Sequence, residues 1–261
     1  TVEDEIKMLR VIKRLKETTP ITIKSTFLGA HAVPGEYKGR QGEYVDLIIN
    51  EMIPQVAAED LAYYIAVFCD KGFFTVEETE RLLMAGIKYG LKGKIHANEL
   101  ALSGGIQVGV KYDALSVDHL EFTGDDEIKA LLNSETMPTL LPGAAFFLGM
   151  DYTPARKMID AGLPLALASD FNPGSSPSGD MKFIMSLGCI IMRMVPEETI
   201  NATTINSAYA MGIGDTHRTM AKCKVANVFV TKPIPSYEFL PYAYTTKLVD
   251  TVILNGKVIE G

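Results

Sequence analysis

The sequence predicts an α/β protein: an incomplete TIM-like (β/α)8 barrel of about six of the eight strands, followed by a small C-terminal β appendage. Three observations predict it. Short apolar runs of strand character alternate with amphipathic stretches of helical period. Polar residues cluster just past the ends of those runs. No Gly-x-Gly-x-x-Gly sequence follows any of them, which argues against a dinucleotide-binding doubly wound sheet.

The elements follow in order. Thr1 is a plausible N-cap with Asp4 three residues on, and Ile6, Leu9, Ile12 and Leu15 recur at near-helical spacing. A helix is therefore expected from the first residue, and the chain reads as the C-terminal part of a longer protein whose preceding strands lie upstream. Six strands are expected, at Thr22–Leu28, Tyr64–Cys69, Gly93–His96, Leu115–Val117, Pro138–Leu141 and Pro164–Ala168. Thr75 with Glu78 forms a capping box opening a helix that Gly90 ends. Thr153-Pro154 places Pro at the first position of another, closed by Gly162. Helices are also expected over Ser178–Met194 and Pro196–Met211, with the methionines 181, 185, 192 and 194 as core filler. Phe146 and Phe147 are expected to pack the barrel. Val225–Thr231, Lys247–Leu254 and the turn Asn255-Gly256 have strand and hairpin character. The division expected is therefore a partial barrel over 1–221 and part of a small β-sandwich over 222–261.

Composition bounds the function. Of 261 residues, 47% are hydrophobic, enough for a sizeable core, and the net charge of −7 argues against nucleic acid or an anionic membrane as partner. No apolar run is long enough to span a bilayer. Three cysteines, far apart and in no Cys-x-x-Cys spacing, suggest a reducing cytoplasm rather than a disulfide framework.

Four histidines occur. His96 stands directly after a strand in Lys94-Ile95-His96-Ala97-Asn98-Glu99, and a neutral imidazole there is a good zinc or iron ligand, with Glu99 placed for proton transfer. His119 ends the next strand and Asp170 follows the sixth. Singly, each has an ordinary reading: a hydrogen-bonded structural His, a helix-capping Asp, an exposed Glu. The joint pattern of His, His and Asp at successive strand ends, with His-x-x-Glu, favours a site. The Asn172-Pro-Gly174-Ser175-Ser loop offers backbone N–H groups and hydroxyls to a carboxylate near a helix start, although composition alone favours a plain capping turn. His217 is expected in an exposed loop with no role.

The blocks Phe27-Leu-Gly-Ala-His31-Ala-Val-Pro34, Lys94-Ile-His96-Ala-Asn-Glu99, Asp118-His119-Leu120, Leu141-Pro-Gly-Ala-Ala-Phe-Phe-Leu148 and Ser169-Asp170-Phe-Asn172-Pro-Gly174-Ser-Ser closely resemble the imidazolonepropionase family of the amidohydrolase superfamily. The resemblance covers essentially the whole chain. It implies ring opening of 4-imidazolone-5-propanoate to N-formimidoyl-L-glutamate in histidine degradation, using one divalent metal, zinc or iron. By resemblance His96 and Asp170 are metal ligands, and Asp170 also takes a proton from the attacking water. His119 polarises the ring carbonyl and Glu99 helps move a proton to the leaving nitrogen. His31, Glu99, Asn172, Gly174 and Ser175 contact a small substrate with a carboxylate tail, and the protein is a cytoplasmic homodimer.

The chain departs from the family in three places. The His-x-His pair that supplies the other two metal ligands is absent, so this chain by itself is expected to be inactive or nearly so. Asp70 stands where the family commonly has Glu. Cys223 and Asn227 stand where it usually has Gly and Asp. Two other readings compete: an aminopyrimidine or purine deaminase of the same superfamily, which would release ammonia, and a non-catalytic binding or assembly role without metal.

Overall fold

A computed structural model describes residues 1–259, in two compact units: Thr1–Thr136 and Met137 onward. The first unit carries four parallel strands in the order β1 (Thr26–Ala30), β2 (Tyr64–Cys69), β3 (Lys92–Ala97) and β4 (Ser116–His119). Helices connect them, as parallel strands require.

The expected N-cap holds: the Thr1 side chain accepts from the Asp4 amide and opens the helix Val2–Thr18. Thr75 and Glu78 form the expected capping box ahead of the helix Val76–Lys88, and Gly90 leaves it at φ +81°. The helical run Gln41–Ala58 contains a π-turn at Ile48–Met52 just before Pro54, whose missing N–H breaks the regular ladder.

β2 is buried along its whole length, as expected of a parallel strand covered on both faces. In β3 burial alternates, with Gly93, Ile95 and Ala97 buried and Lys94 and His96 less so. The buried face meets the helices at close range. A Cβ on Gly86 would come within 2.7 Å of Ile65, and one on Gly109 within 2.6 Å of Val117, so only glycine lets the helices seat. With that face given to packing, Lys94, His96, Ser116 and Asp118 share the opposite one, in register Lys94↔Ser116 and His96↔Asp118. β1 starts later than the sequence suggests and carries an irregularity between Phe27 and Ala30, which brings His31 directly to its end.

In the second unit β5 (Met137–Leu140) and β6 (Ala166–Leu167) pair in parallel, and Met137, Ala166 and Ala210 pack together. The expected run Pro164–Ala168 thus contributes only two ladder residues. The helix expected over Ser178–Met194 spans Met181–Ile190, because Asp180 caps it through the amides of Lys182 and Phe183. That expected over Pro196–Met211 is two helices, broken at Thr204 (φ −125°, ψ −82°). Pro154 is the N-cap of Ala155–Asp160 rather than its first residue. Met185, Met192 and Met194 are buried, whereas Phe146 and Phe147 are 55% and 52% exposed and do not pack a core. His217 ends a short helix, Gly214–His217. The C-terminal strands β7 (Val228–Thr231), β8 (Val249–Leu254) and β9 (Lys257–Ile259) form a separate antiparallel sheet, with the turn at Asn255-Gly256 as expected. No helix among the described residues is long and apolar enough to cross a membrane.

Candidate active site

The ends of β1, β3 and β4 bring three histidines together. His96 Nδ1 lies 3.1 Å from His119 Nε2, so one ring donates and the other accepts. The His31 ring stands edge-on to His96 at 5.7 Å between centroids. Glu99 reaches the same place: its Oε2 is 3.6 Å from His119 Nε2. Phe68 closes the side, stacked on Phe73 at 3.9 Å and tilted against His31 and His96.

These side chains are aimed by backbone that leaves the strand ladder abruptly. Asn98, His119 and Leu120 have φ of +53°, +80° and +71°, conformations that non-glycine residues adopt at a cost of order 1 kcal/mol or more each. Two bonds hold the turn after β3 to the turn after β4: Phe122 N–H donates to Asn98 O at 2.8 Å, and Asn98 Nδ2 to Phe122 O at 2.9 Å. The buried Asp70 carboxylate, at the end of β2, accepts from the amides of Lys71, Glu99 and Leu100 at 2.7, 2.7 and 2.9 Å. No motif points to Asp70, because its partners are main-chain groups. Its signals in the sequence are its place at a strand end and its standing where the resembled family commonly has Glu.

Electrostatically the cluster is a set of neutral imidazoles. Burial, opposed by the pull of Asp118 and aided by smaller like-charge repulsion from His31 and Lys94, pushes His96 down to about 4. Burial first, then His96 and His31, holds His119 well below the usual histidine range, and burial lowers His31. A neutral ring keeps one lone pair for a metal and one N–H for a carbonyl oxygen.

The remaining candidate residues belong to the second unit. Asp170 follows β6 at φ +50°. Asn172 Oδ1 accepts the amides of Gly174 and Ser175, each at 2.8 Å, and its Nδ2 donates to Asp170 O and to Ser175 Oγ. Ser175 Oγ stands 3.5 Å from Asp170 Oδ2. The loop amides expected to face a carboxylate are thus turned inward onto Asn172, and Asp180 caps the following helix. Cavities of about 560 and 720 Å³ lie elsewhere in this unit, and no candidate residue lines either.

The donors fit a metal in kind but not in number. With His96 Nδ1 engaged by His119, Nε2 is the nitrogen a metal would use. Yet among the described residues no group of three or more His, Cys, Asp or Glu is assembled as a site, and a structural or catalytic zinc takes three or four protein ligands.

No family model matches the chain. It shares its fold with a zinc-bound adenosine deaminase from Xanthomonas campestris (TM-score 0.72, 18% identity, 96% of this chain and 63% of that one). A triazine hydrolase variant has TM-score 0.73 at 14% identity, over 94% of this chain and 62% of that one. The class that the fold defines is therefore the one these two proteins share. Among relatives by sequence, imidazolonepropionase from Flavobacterium johnsoniae is 56% identical over 259 residues, and that from Shouchella clausii 45% over 258. By sequence the chain is similar to these imidazolonepropionases. It is covered almost throughout, at 99% and 98%, and spans 63% and 58% of those relatives' lengths.

Proposed function

We propose that this chain is part of a hydrolase that opens the ring of 4-imidazolone-5-propanoate to N-formimidoyl-L-glutamate, in histidine degradation. The observation that carries the reading is the approach of Glu99 to His119 beside His96, at the ends of adjacent strands. In this reading a proton carrier and a neutral imidazole serve one reacting centre.

Hydrolysis adds water to the ring carbonyl carbon and breaks its bond to nitrogen, which leaves with a proton. His119, held neutral, would donate its N–H to the carbonyl oxygen as negative charge develops there. Glu99 would carry a proton to the departing nitrogen. His31 would lie against the substrate ring. Asp170 would take a proton from the attacking water. Asn172, Gly174 and Ser175 would hold the propionate, which would have to compete with Asn172 Oδ1 for the two loop amides. By the family resemblance, His96 and Asp170 are each proposed as a ligand of a divalent metal, zinc or iron, a group that when bound would make that water acidic near neutral pH. The support for Asp170 is its Ser-Asp-Phe-Asn-Pro-Gly-Ser-Ser sequence. The same resemblance supports a cytoplasmic homodimer.

The test is loss of imidazolonepropionate ultraviolet absorbance, run on protein of the relatives' full length and on the 261-residue chain side by side. Turnover by the first and none by the second is expected. No turnover by metal-loaded full-length protein would overturn the reading, and ammonia release from an aminopurine or aminopyrimidine would replace it with deamination.

A further inference from the structure

We infer that Asp70 is a positioning residue, which fixes Glu99 in reach of His119 by binding the main chain on which Glu99 stands. The inference rests on the proposed role of Glu99 as the proton carrier. Its structural half stands apart from that role.

Asp70 is 4% exposed, and a buried carboxylate is costly unless it is hydrogen-bonded. Its three hydrogen-bond donors are all backbone amides, one local and two from the turn after β3. That turn cannot use the sheet for those amides. β3 pairs with β2 only as far as Cys69↔Ala97, and Asn98 then swings to φ +53°, carrying the N–H groups of Glu99 and Leu100 off the ladder. An apolar residue at position 70 would leave two buried-side donors without an acceptor, whereas a carboxylate gives each a short, charge-assisted bond. The carboxylate thus grips the amide of Glu99 itself, whose side chain reaches His119 at 3.6 Å. Ser103 braces the same turn from its far end, donating to Cys69 O at 2.9 Å and to Asn98 Oδ1 at 3.1 Å. Asn98 in turn joins the turn to Phe122, three residues past His119. Asp70 therefore acts on Glu99 through its main chain, and touches neither the Glu99 nor the His119 side chain.

The experiment is a double-mutant cycle in the full-length, metal-loaded protein. Asp70→Asn, which keeps the shape and one acceptor oxygen, is expected to lower kcat about tenfold with KM within about twofold. Asp70→Glu, which keeps both acceptors, is expected to recover at least half of the loss. In a Glu99→Gln background, Asp70→Asn is expected to cost less than about twofold. An equal loss in both backgrounds would mark a general structural role and overturn the inference, as would an undiminished kcat in the single variant. Amide exchange in the 261-residue chain separates this from the proposed reaction. Asp70→Asn is expected to lower protection of the Glu99 and Leu100 amides at least tenfold more than that of β2. Unchanged protection overturns the positioning role even if turnover is seen. Selective loss sustains it even if full-length wild-type protein turns over nothing, the result that would sink the proposed function.

Discussion

His96 and His119 stand with ring nitrogens 3.1 Å apart, and both imidazoles are held neutral by their surroundings. Protonating either would put a charge where burial, the largest influence on both rings, opposes it. The pair is therefore a device for keeping lone pairs and N–H groups usable at neutral pH.

Acid should unfold this chain early. A histidine whose folded pKa lies below its unfolded value favours the native state above the unfolded pKa and loses that contribution as pH falls toward the folded one. For His96 the window runs from the ordinary histidine value of 6.5 down to about 4. Taking 1.36 kcal/mol per pKa unit, the loss between pH 7 and pH 5 from this group is about 2 kcal/mol. Urea unfolding at the two pH values, compared with His96→Gln, checks it: the variant should show the smaller drop.

His119→Gln should keep the fold and lose the reaction. The amide can fill the space but presents its N–H along a different line, and loss of one donor to a developing oxyanion costs about 10²–10³ in kcat. Steady-state kinetics of the full-length protein, with circular dichroism as the folding control, measures this. A loss below tenfold would remove His119 from the carbonyl.

Asn172→Ala should act on binding. Its side chain holds two loop amides and Ser175 Oγ in one arrangement, so truncation releases the loop that is proposed to take the propionate. KM is expected to rise about tenfold, the equivalent of one or two hydrogen bonds, with a smaller fall in kcat. Asn172→Asp, which keeps the accepting oxygen, should fall between.

Cys223 has φ +70° and is exposed, so it holds a left-handed conformation without burying anything in return. Glycine occupies that conformation without the Cβ penalty. Cys223→Gly is therefore expected to stabilise the chain by about 1 kcal/mol, read as a rise in thermal midpoint. No change would mean that the turn relaxes around the side chain.

Local chemistry made part of this legible in the sequence. β2 matches its expected range residue for residue, because six consecutive apolar residues bounded by turn signals have few alternatives to a buried strand. Thr75 with Glu78 and Asn255-Gly256 also formed what they signal, since a cap or a turn is decided within four residues. Where neighbours decide, the reading slipped. Thr204 breaks a run whose periodicity continues through it, and Phe146 and Phe147 are exposed although their composition suits a core.

The sequence by itself determined the alternation of strand and helix, the resemblance to imidazolonepropionases, and which residues could carry chemistry, because periodicity, capping and motif are properties of neighbouring residues. Only the tertiary structure decided that His31, His96 and His119, spread over almost ninety positions, share one face, that their rings are neutral, and that Asp70 grips the amide of Glu99. Those facts depend on register between parallel strands and on desolvation by packed protein, and both arise only when distant segments are brought together.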